Sequence, residues 1–366
     1  MSRRLSMLKE FIRPGDSPPR GAPTMDAGLT PNDSLDKFDV HFEHADFAPE
    51  DVIIDGSARV LVSSGREVID ISSGYPSSLA SLPAEVLGLC ATSDGETLAC
   101  VDGVGLVRLE RDGAWTTLID AGERNLGPLS SVAVRDSEIF VTESISPGAW
   151  ADWPRDLMEK GATGAVWRLT DGQQLEKISS GLAWPYGLAF DGAGAMVVSE
   201  SWKHRLVAID PSSGCATTVV DRLPAYPARL HTRPSGVIDV AFFAARNNLV
   251  ELVLREDEFR AEMMATVPME DWIRPALQST RSVREPLQIG RVVNLGKIKP
   301  WAPPRSYGLV ASLAGNGELV DSSHARPGSS RHGTTAIASD GIREFVASRG
   351  GRALLVRDVT ERSTHV

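Results

Sequence analysis

One arrangement returns along most of the chain: a short apolar run, a polar turn on Asp-Gly or its equivalent, and a second apolar run ending in small hydroxyl residues, then a third. It is met first in EDVIIDGSARVLVSSGREVIDIS and again in LGLCATSDGETLACVDGVGLVRLERDGAWTTLI. SVAVRDSEIFVTESI with GAVWRLTDGQQLEKIS follows, then YGLAFDGAGAMVVSESWKHRLVAIDPSSGCATTVV. The last two are ARLHTRPSGVIDVAFFAARNNLVELVL and YGLVASLAGNGELVDSS with TTAIASDGIREFVASRGGRALLVRDV. Branched and aromatic side chains suit the pleated runs, and Gly, Asp, Asn and Ser supply the turn conformations between them. A unit of this kind cannot bury its faces alone, so neighbouring units of roughly 40–50 residues must share a core. Six such units predict an all-β fold, a six-bladed β-propeller with one four-stranded blade per unit.

Two stretches break the repeat. SPGAWADWPRDLMEKGATG (146–164) lies within the third unit and REDEFRAEMMATVPMEDWIRPALQSTRSVRE (255–285) within the fifth. The second reads as a short helical insertion capping one rim, with Phe259, Met263 and Val267 on a single face and Pro268 interrupting it. Residues 1–36 read as a partly ordered tail ahead of a single propeller domain, 37–366. Leu5, Leu8, Phe11 and Ile12 recur at helical spacing in that tail before Pro14, so an arm for a homo-oligomer or a membrane-surface anchor is the sharper reading of it.

Composition narrows the partners. A net charge of −10 argues against nucleic acid, whose phosphates require a basic face. No apolar run approaches the roughly 20 residues of a membrane span, and the N-terminus lacks the apolar core of a secretory signal. The chain is therefore read as cytoplasmic, with Cys90, Cys100 and Cys215 as free thiols and a Cys90–Cys100 bridge left open.

APEDVIIDG, PRDLMEKGATGAVWRL, SSGLAWPYGLAFDGAGAMVVSESWKHRLVAID, LPAYPARLHTRPSG and the closing YGLVASLAGNGELVDSS…HGTTAIASDGIREFVAS occur in this order. Together they resemble the strictosidine synthase-like branch of the six-bladed propellers, which is related to gluconolactonases and paraoxonases. The resemblance implies a small-molecule substrate in the central channel. In the hydrolytic relatives it also implies a calcium ion held by a Glu and by Asn or Asp residues at inner-strand starts, a set of oxygen ligands that polarises a lactone or ester carbonyl. Glu50 matches the Glu. At the other positions stand Ser130-Ser131, Tyr186 and Ala228-Arg229. The expectation is a channel without the usual ion and without another cofactor, calcium being the alternative. In the alkaloid-forming branch a Glu lies two residues after a His; here His332 matches the His and Thr334 stands in the Glu position.

The candidate catalytic residues are Glu50, Tyr186, Arg229 and His332. Glu50 reads as a general base, a residual metal ligand or the ion-pair partner of Arg229. Arg229 would clamp a carboxylate or an oxyanion, and Tyr186 would either plug the channel mouth or transfer a proton. Tyr186 and Tyr307 share a Tyr-Gly-Leu context, which favours the packing role. Ser130, Ser131, His231, Tyr307 and Thr334 are candidate substrate contacts, although no nucleophile elbow surrounds the serines. Trp150, Trp153 and Trp184, with Trp272, are read as an aromatic cap that suits a flat or apolar substrate. Glu143 and Glu200 end strands in VTES and VSES and read as blade-repeat features, and His41, Glu43 and His44 lack a further metal ligand. The functional expectation is hydrolysis of a lactone or ester. The alternatives are a metal-independent lyase, isomerase or C–N condensing enzyme, or a propeller that only binds.

Overall fold

The computed structural model of the chain describes residues 29–110, 112–170, 174–278, 293–294, 297–298, 306–326 and 329–359. Blade 1 consists of Pro49–Ile54, Val60–Ser64, Glu67–Asp70 and Ser77–Ser81. Blade 2 is Val86–Ala91, Thr97–Val101, Gly105–Leu109 and Trp115–Asp120; blade 3 is Leu129–Arg135, Glu138–Glu143, Gly164–Leu169 and Leu175–Leu182. Blade 4 is Pro185–Phe190, Met196–Glu200, Arg205–Ile209 and Ala216–Val220. Blade 5 is Ala225–Thr232, Ile238–Ala245, Leu309–Leu313 and Leu319–His324. Blade 6 is Thr334–Ser339, Arg343–Ser348 and Ala353–Asp358, completed by Asp39–Glu43 from the other end of the chain.

All six sheets are antiparallel, and each inner strand packs against the inner strands of both neighbouring blades, blade 6 against blade 1 included. The molecule is a six-bladed β-propeller. Borrowing Asp39–Glu43 to finish blade 6 joins the two ends of the ring through backbone hydrogen bonds, so the ring has no open seam. That strand contains His41 and Glu43, and His41 Nε2 lies 2.8 Å from Ile71 O. Among the described residues no group of three metal-ligating side chains occurs, and no helix is long and apolar enough to cross a membrane.

Inner strands are crowded on both faces, which explains their small residues. A Cβ on Gly88 would lie 2.6 Å from Ser130 O, and one on Gly187 would lie 2.6 Å from Ala228 O. Both obstacles are backbone, so only glycine lets adjacent blades approach this closely. Antiparallel order places the start of each inner strand and the end of the second strand on the same face. Both insertions leave from that end, in blades 3 and 5, and both therefore rise over the same channel mouth.

Four expectations need correction. NLVELVL is not a strand: Asn248–Arg255 is a helix whose cap, Asn247, accepts from the Leu249 amide at 2.8 Å. The helical insertion therefore starts before residue 255, and its part beyond 278 lies outside the described residues. In the next helix, Asp257–Thr266, Met263 is buried but Phe259 is 49% exposed, so they do not share a packed face. Tyr307 is not equivalent to Tyr186, because it precedes the third strand of blade 5 rather than an inner strand. Packing also begins inside the expected tail, where Leu35 is fully buried and Asn32 donates to Ser322 O at 2.9 Å. The proposed arm residues Leu5 to Ile12 lie outside the described residues.

Candidate functional site

Glu50 and Tyr186 are the second residues of the inner strands of blades 1 and 4, Arg229 lies midway along that of blade 5, and the propeller brings these distant positions to one point. Glu50 is completely buried. Its Oε1 accepts from the Tyr186 hydroxyl at 2.7 Å and from Arg229 Nη1 at 2.7 Å, while its Oε2 pairs with Arg349. Arg229 Nη1 also donates to Glu50 O at 3.1 Å, and Nη2 donates to Ser130 O at 3.1 Å. Its Nε lies 3.2 Å from Asp51 Oδ2, within ion-pair range but not aligned for a hydrogen bond. The Arg229 guanidinium sits 4.8 Å from the centre of the Tyr186 ring, a cation–π contact inside the protein. Arg349 Nη2 continues the chain of charges to Glu85 at 2.7 Å.

These contacts set the protonation states. Burial alone would raise the Glu50 pKa, but Arg349, Arg229 and the Tyr186 hydroxyl outweigh it and hold the carboxyl below its usual range. Burial and the Glu50 charge push the Tyr186 phenol well up, so it stays protonated and donates. Asp51 goes the other way: burial raises it to about 6, although Arg229 and the amides of Leu89 and Val52 oppose the rise. A raised carboxylate stabilises the fold most when protonated, so its contribution is lost as pH rises. Relative to Asp51→Asn, the wild type is therefore expected to lose stability between pH 3.8 and about 6, as measured by denaturation midpoints across that window. Parallel pH profiles of the two proteins would refute this assignment.

Above the ionic cluster lies a cavity of roughly 310 Å³, walled by Trp150, Trp153, Trp184, Trp202, Tyr186 and Phe243. Trp184 stacks on Trp202 with ring centres 5.1 Å apart, and Trp150 meets Trp184 at 5.2 Å and Tyr186 at 5.3 Å. The blade 3 insertion supplies Trp150 and Trp153, and the blade 5 insertion supplies Met269, Arg274 and Leu277. Arg274 lies over the Trp153 ring at 5.0 Å. Glu50, Glu85 and Arg349 line the polar end of the cavity, whereas Arg229 is held beneath them.

The other sequence candidates lie elsewhere. His332 is buried between Ser306 Oγ (2.8 Å) and Arg326 O (3.0 Å), tying a loop to the start of blade 6. His231 Nε2 lies 3.1 Å from both the amide and the carbonyl of Ser339, at the far end of the channel. Thr334 Oγ1 is 2.7 Å from Leu309 O and 2.9 Å from Phe242 O, linking blades 6 and 5. Ser130 Oγ donates to Pro185 O at 2.8 Å, and Ser131 Oγ accepts from the Leu188 amide at 3.3 Å, so both serines stitch blade 3 to blade 4. Tyr307 pairs with His324 at 3.0 Å, and Trp272 donates to Val267 O at 2.8 Å, away from the cavity. Glu143 and Glu200 accept the amides of Gly127 (2.7 Å) and Ala183 (3.0 Å), so each holds the loop leading into its own blade. The cysteines are free, and burial pushes the Cys90 thiol up to about 12.

Arg349 was not among the sequence candidates, yet the repeat marks it. Ser144 and Ser201 follow VTE and VSE and donate to Pro185 O (3.2 Å) and Pro227 O (2.6 Å). The matching position after FVAS is Arg349, a long cation where blades 3 and 4 carry a small hydroxyl. Trp202 and Phe243 carried no comparable signal.

The calcium ion implied by the resemblance does not fit these residues. A guanidinium occupies the centre of the donor set, and a phenol stands where an amide oxygen would be required.

No protein-family model matches the chain, and no curated protein does. Solved structures are similar in shape. A gluconolactonase of Xanthomonas campestris superposes with a TM-score of 0.57 at 14% identity, over 87% of this chain and 87% of its own. A calcium-binding protein, regucalcin, of Agrobacterium tumefaciens gives a TM-score of 0.57 at 14% identity, over 87% of this chain and 93% of its own. A virginiamycin B lyase of Staphylococcus aureus gives a TM-score of 0.50 at 12% identity, over 86% of this chain and 97% of its own. The likeness is to gluconolactonase- and regucalcin-type propellers, and it concerns the fold. A lyase on the same scaffold shows that the fold alone does not choose the chemistry.

Proposed function

We propose that the protein hydrolyses a small, flat, largely apolar ester or lactone in the aromatic cavity, without a step through calcium. The observation that carries this reading is the Glu50–Arg349 pair, which forms the polar end of a cavity walled in large part by aromatic rings. Arg349 is the mobile partner in the mechanism, because its side chain is 23% exposed while Glu50 is sealed. When a substrate carbonyl enters, Arg349 turns from Glu50 Oε2 to the carbonyl oxygen and stabilises the oxyanion. Losing that cation raises the basicity of Glu50 at the moment Oε2 is released to a water molecule. The water oxygen bonds to the carbonyl carbon as its proton passes to Oε2. The carbon–oxygen bond to the leaving group then breaks, and Glu50 returns the proton to the departing oxygen. Tyr186 and Arg229 hold Oε1 throughout, so they position the base.

Aryl esters and aromatic lactones, assayed with and without EDTA, test the reading. Turnover is expected in both conditions, and Arg349→Met is expected to lower kcat/KM by about 10²–10³, the cost of one oxyanion donor, while remaining folded. A competing reading, binding without turnover, is favoured by the fact that both Glu50 oxygens are already engaged. Compounds that quench the tryptophans saturably but are never cleaved would decide for it.

A further inference from the structure

We propose that the Arg229 guanidinium is the protein's own resident cation, seated in an oxygen cage that accepts a divalent cation once the arginine is removed. Four oxygens surround the guanidinium: Glu50 Oε1 at 2.7 Å, Glu50 O at 3.1 Å, Ser130 O at 3.1 Å and Asp51 Oδ2 at 3.2 Å. Two are carboxylate and two are main-chain carbonyl, the donor types a hard cation selects over nitrogen or sulfur. All come from inner strands locked by their neighbours, so the cage does not depend on the arginine for its backbone position. Glu50 and Asp51 bring two negative charges into a dry interior, and such charges must be paired. Nη1 and Nη2 make directional hydrogen bonds to three of these oxygens, but the buried Nε makes none and meets Asp51 by charge alone. A spherical ion with its own waters would satisfy the same oxygens without that mismatch.

Removing Arg229 exchanges a monovalent cation for a vacancy between carboxylates. Such a vacancy attracts Ca²⁺, which takes six to eight oxygens, part of them water. Arg349 remains on the other Glu50 oxygen and weakens the site, so an affinity in the range of about 10⁻⁴–10⁻³ M is expected. In the wild type the cage is filled, and neither chelator nor added calcium should change stability.

The test uses the full chain and requires no substrate. Wild type, Arg229→Ala and Arg229→Lys are melted in EDTA, in CaCl₂ and in methylguanidinium, and titrated with CaCl₂ by calorimetry. Wild type and Arg229→Lys should give the same midpoint in EDTA and in calcium, with no saturable heat. Arg229→Ala should melt lower in EDTA and recover several degrees in calcium or methylguanidinium, with saturable calcium binding. Saturable calcium binding to the wild type overturns the proposal. So does a folded Arg229→Ala that ignores calcium, or one that calcium and methylguanidinium both fail to fold. Because every readout is binding or melting, failure here is distinct from failure to find a hydrolysed substrate.

Discussion

Glu50→Ala is expected to lower the stability of the propeller by about 3 kcal/mol, the lower end of the 3–5 kcal/mol range for breaking a buried ion pair. The range applies because Glu50 is completely buried and accepts from Tyr186, Arg229 and Arg349 together. The lower end applies because neither arginine is stranded: Arg229 keeps Asp51 at 3.2 Å and Arg349 keeps Glu85 at 2.7 Å. Urea denaturation is the measurement, with a reduced midpoint at unchanged slope. The sign of the pH dependence follows from the lowered Glu50 pKa. Its contribution is present above the unfolded value of 4.5 and is lost as pH falls through the folded one, so the gap between wild type and variant should narrow in acid. A loss below about 1 kcal/mol, the scale of an exposed pair, would mean that the cluster is not desolvated as described.

Trp184→Ala is the second large effect, about 3–5 kcal/mol for emptying a buried tryptophan site. Trp184 is 2% exposed and joins Trp150 to Trp202, so its removal loosens the cavity wall at two contacts. Its backbone has φ of 53°, a left-handed conformation that is strained in a residue with a side chain. Trp184→Gly should therefore be no worse than Trp184→Ala despite the smaller side chain, because glycine relieves that strain. Ligand affinity separates the cavity role from plain core packing. A variant that loses stability but binds aromatic esters as well as wild type would remove Trp184 from the site.

Much of the scaffold was legible in the residues. Alternation of apolar runs with Asp-Gly-type turns is a local property, and it marked the strands and both insertions, but it assigned YGLVASLAGNGELVDSS to the sixth unit whereas those strands complete blade 5. Local likeness also misled. Tyr186 and Tyr307 share Tyr-Gly-Leu, yet one opens an inner strand and the other leads into the third strand of blade 5. NLVELVL is apolar enough for a strand, but Asn247 caps it as a helix. Glu50, Tyr186 and Arg229 were singled out together because each departs from, or keeps, a recognisable position on an inner strand. His332 was singled out on similar grounds and is held by Ser306 and Arg326 away from the cavity.

The sequence by itself determined the repeat, and with it the ring: six units with shared unfinished faces have few other ways to bury them. It also determined that a carboxylate, a phenol and a guanidinium would stand on three inner strands. Only the tertiary structure decided what these groups do to one another. Closure of the ring brings Glu50 within 2.7 Å of Arg229, 179 residues away in the chain. Closure also turns Arg349 toward Glu50 from blade 6 and buries the carboxylate while leaving Arg349 23% exposed. The charge state of such a cluster depends on distance and burial, and neither is encoded within a single unit of the repeat.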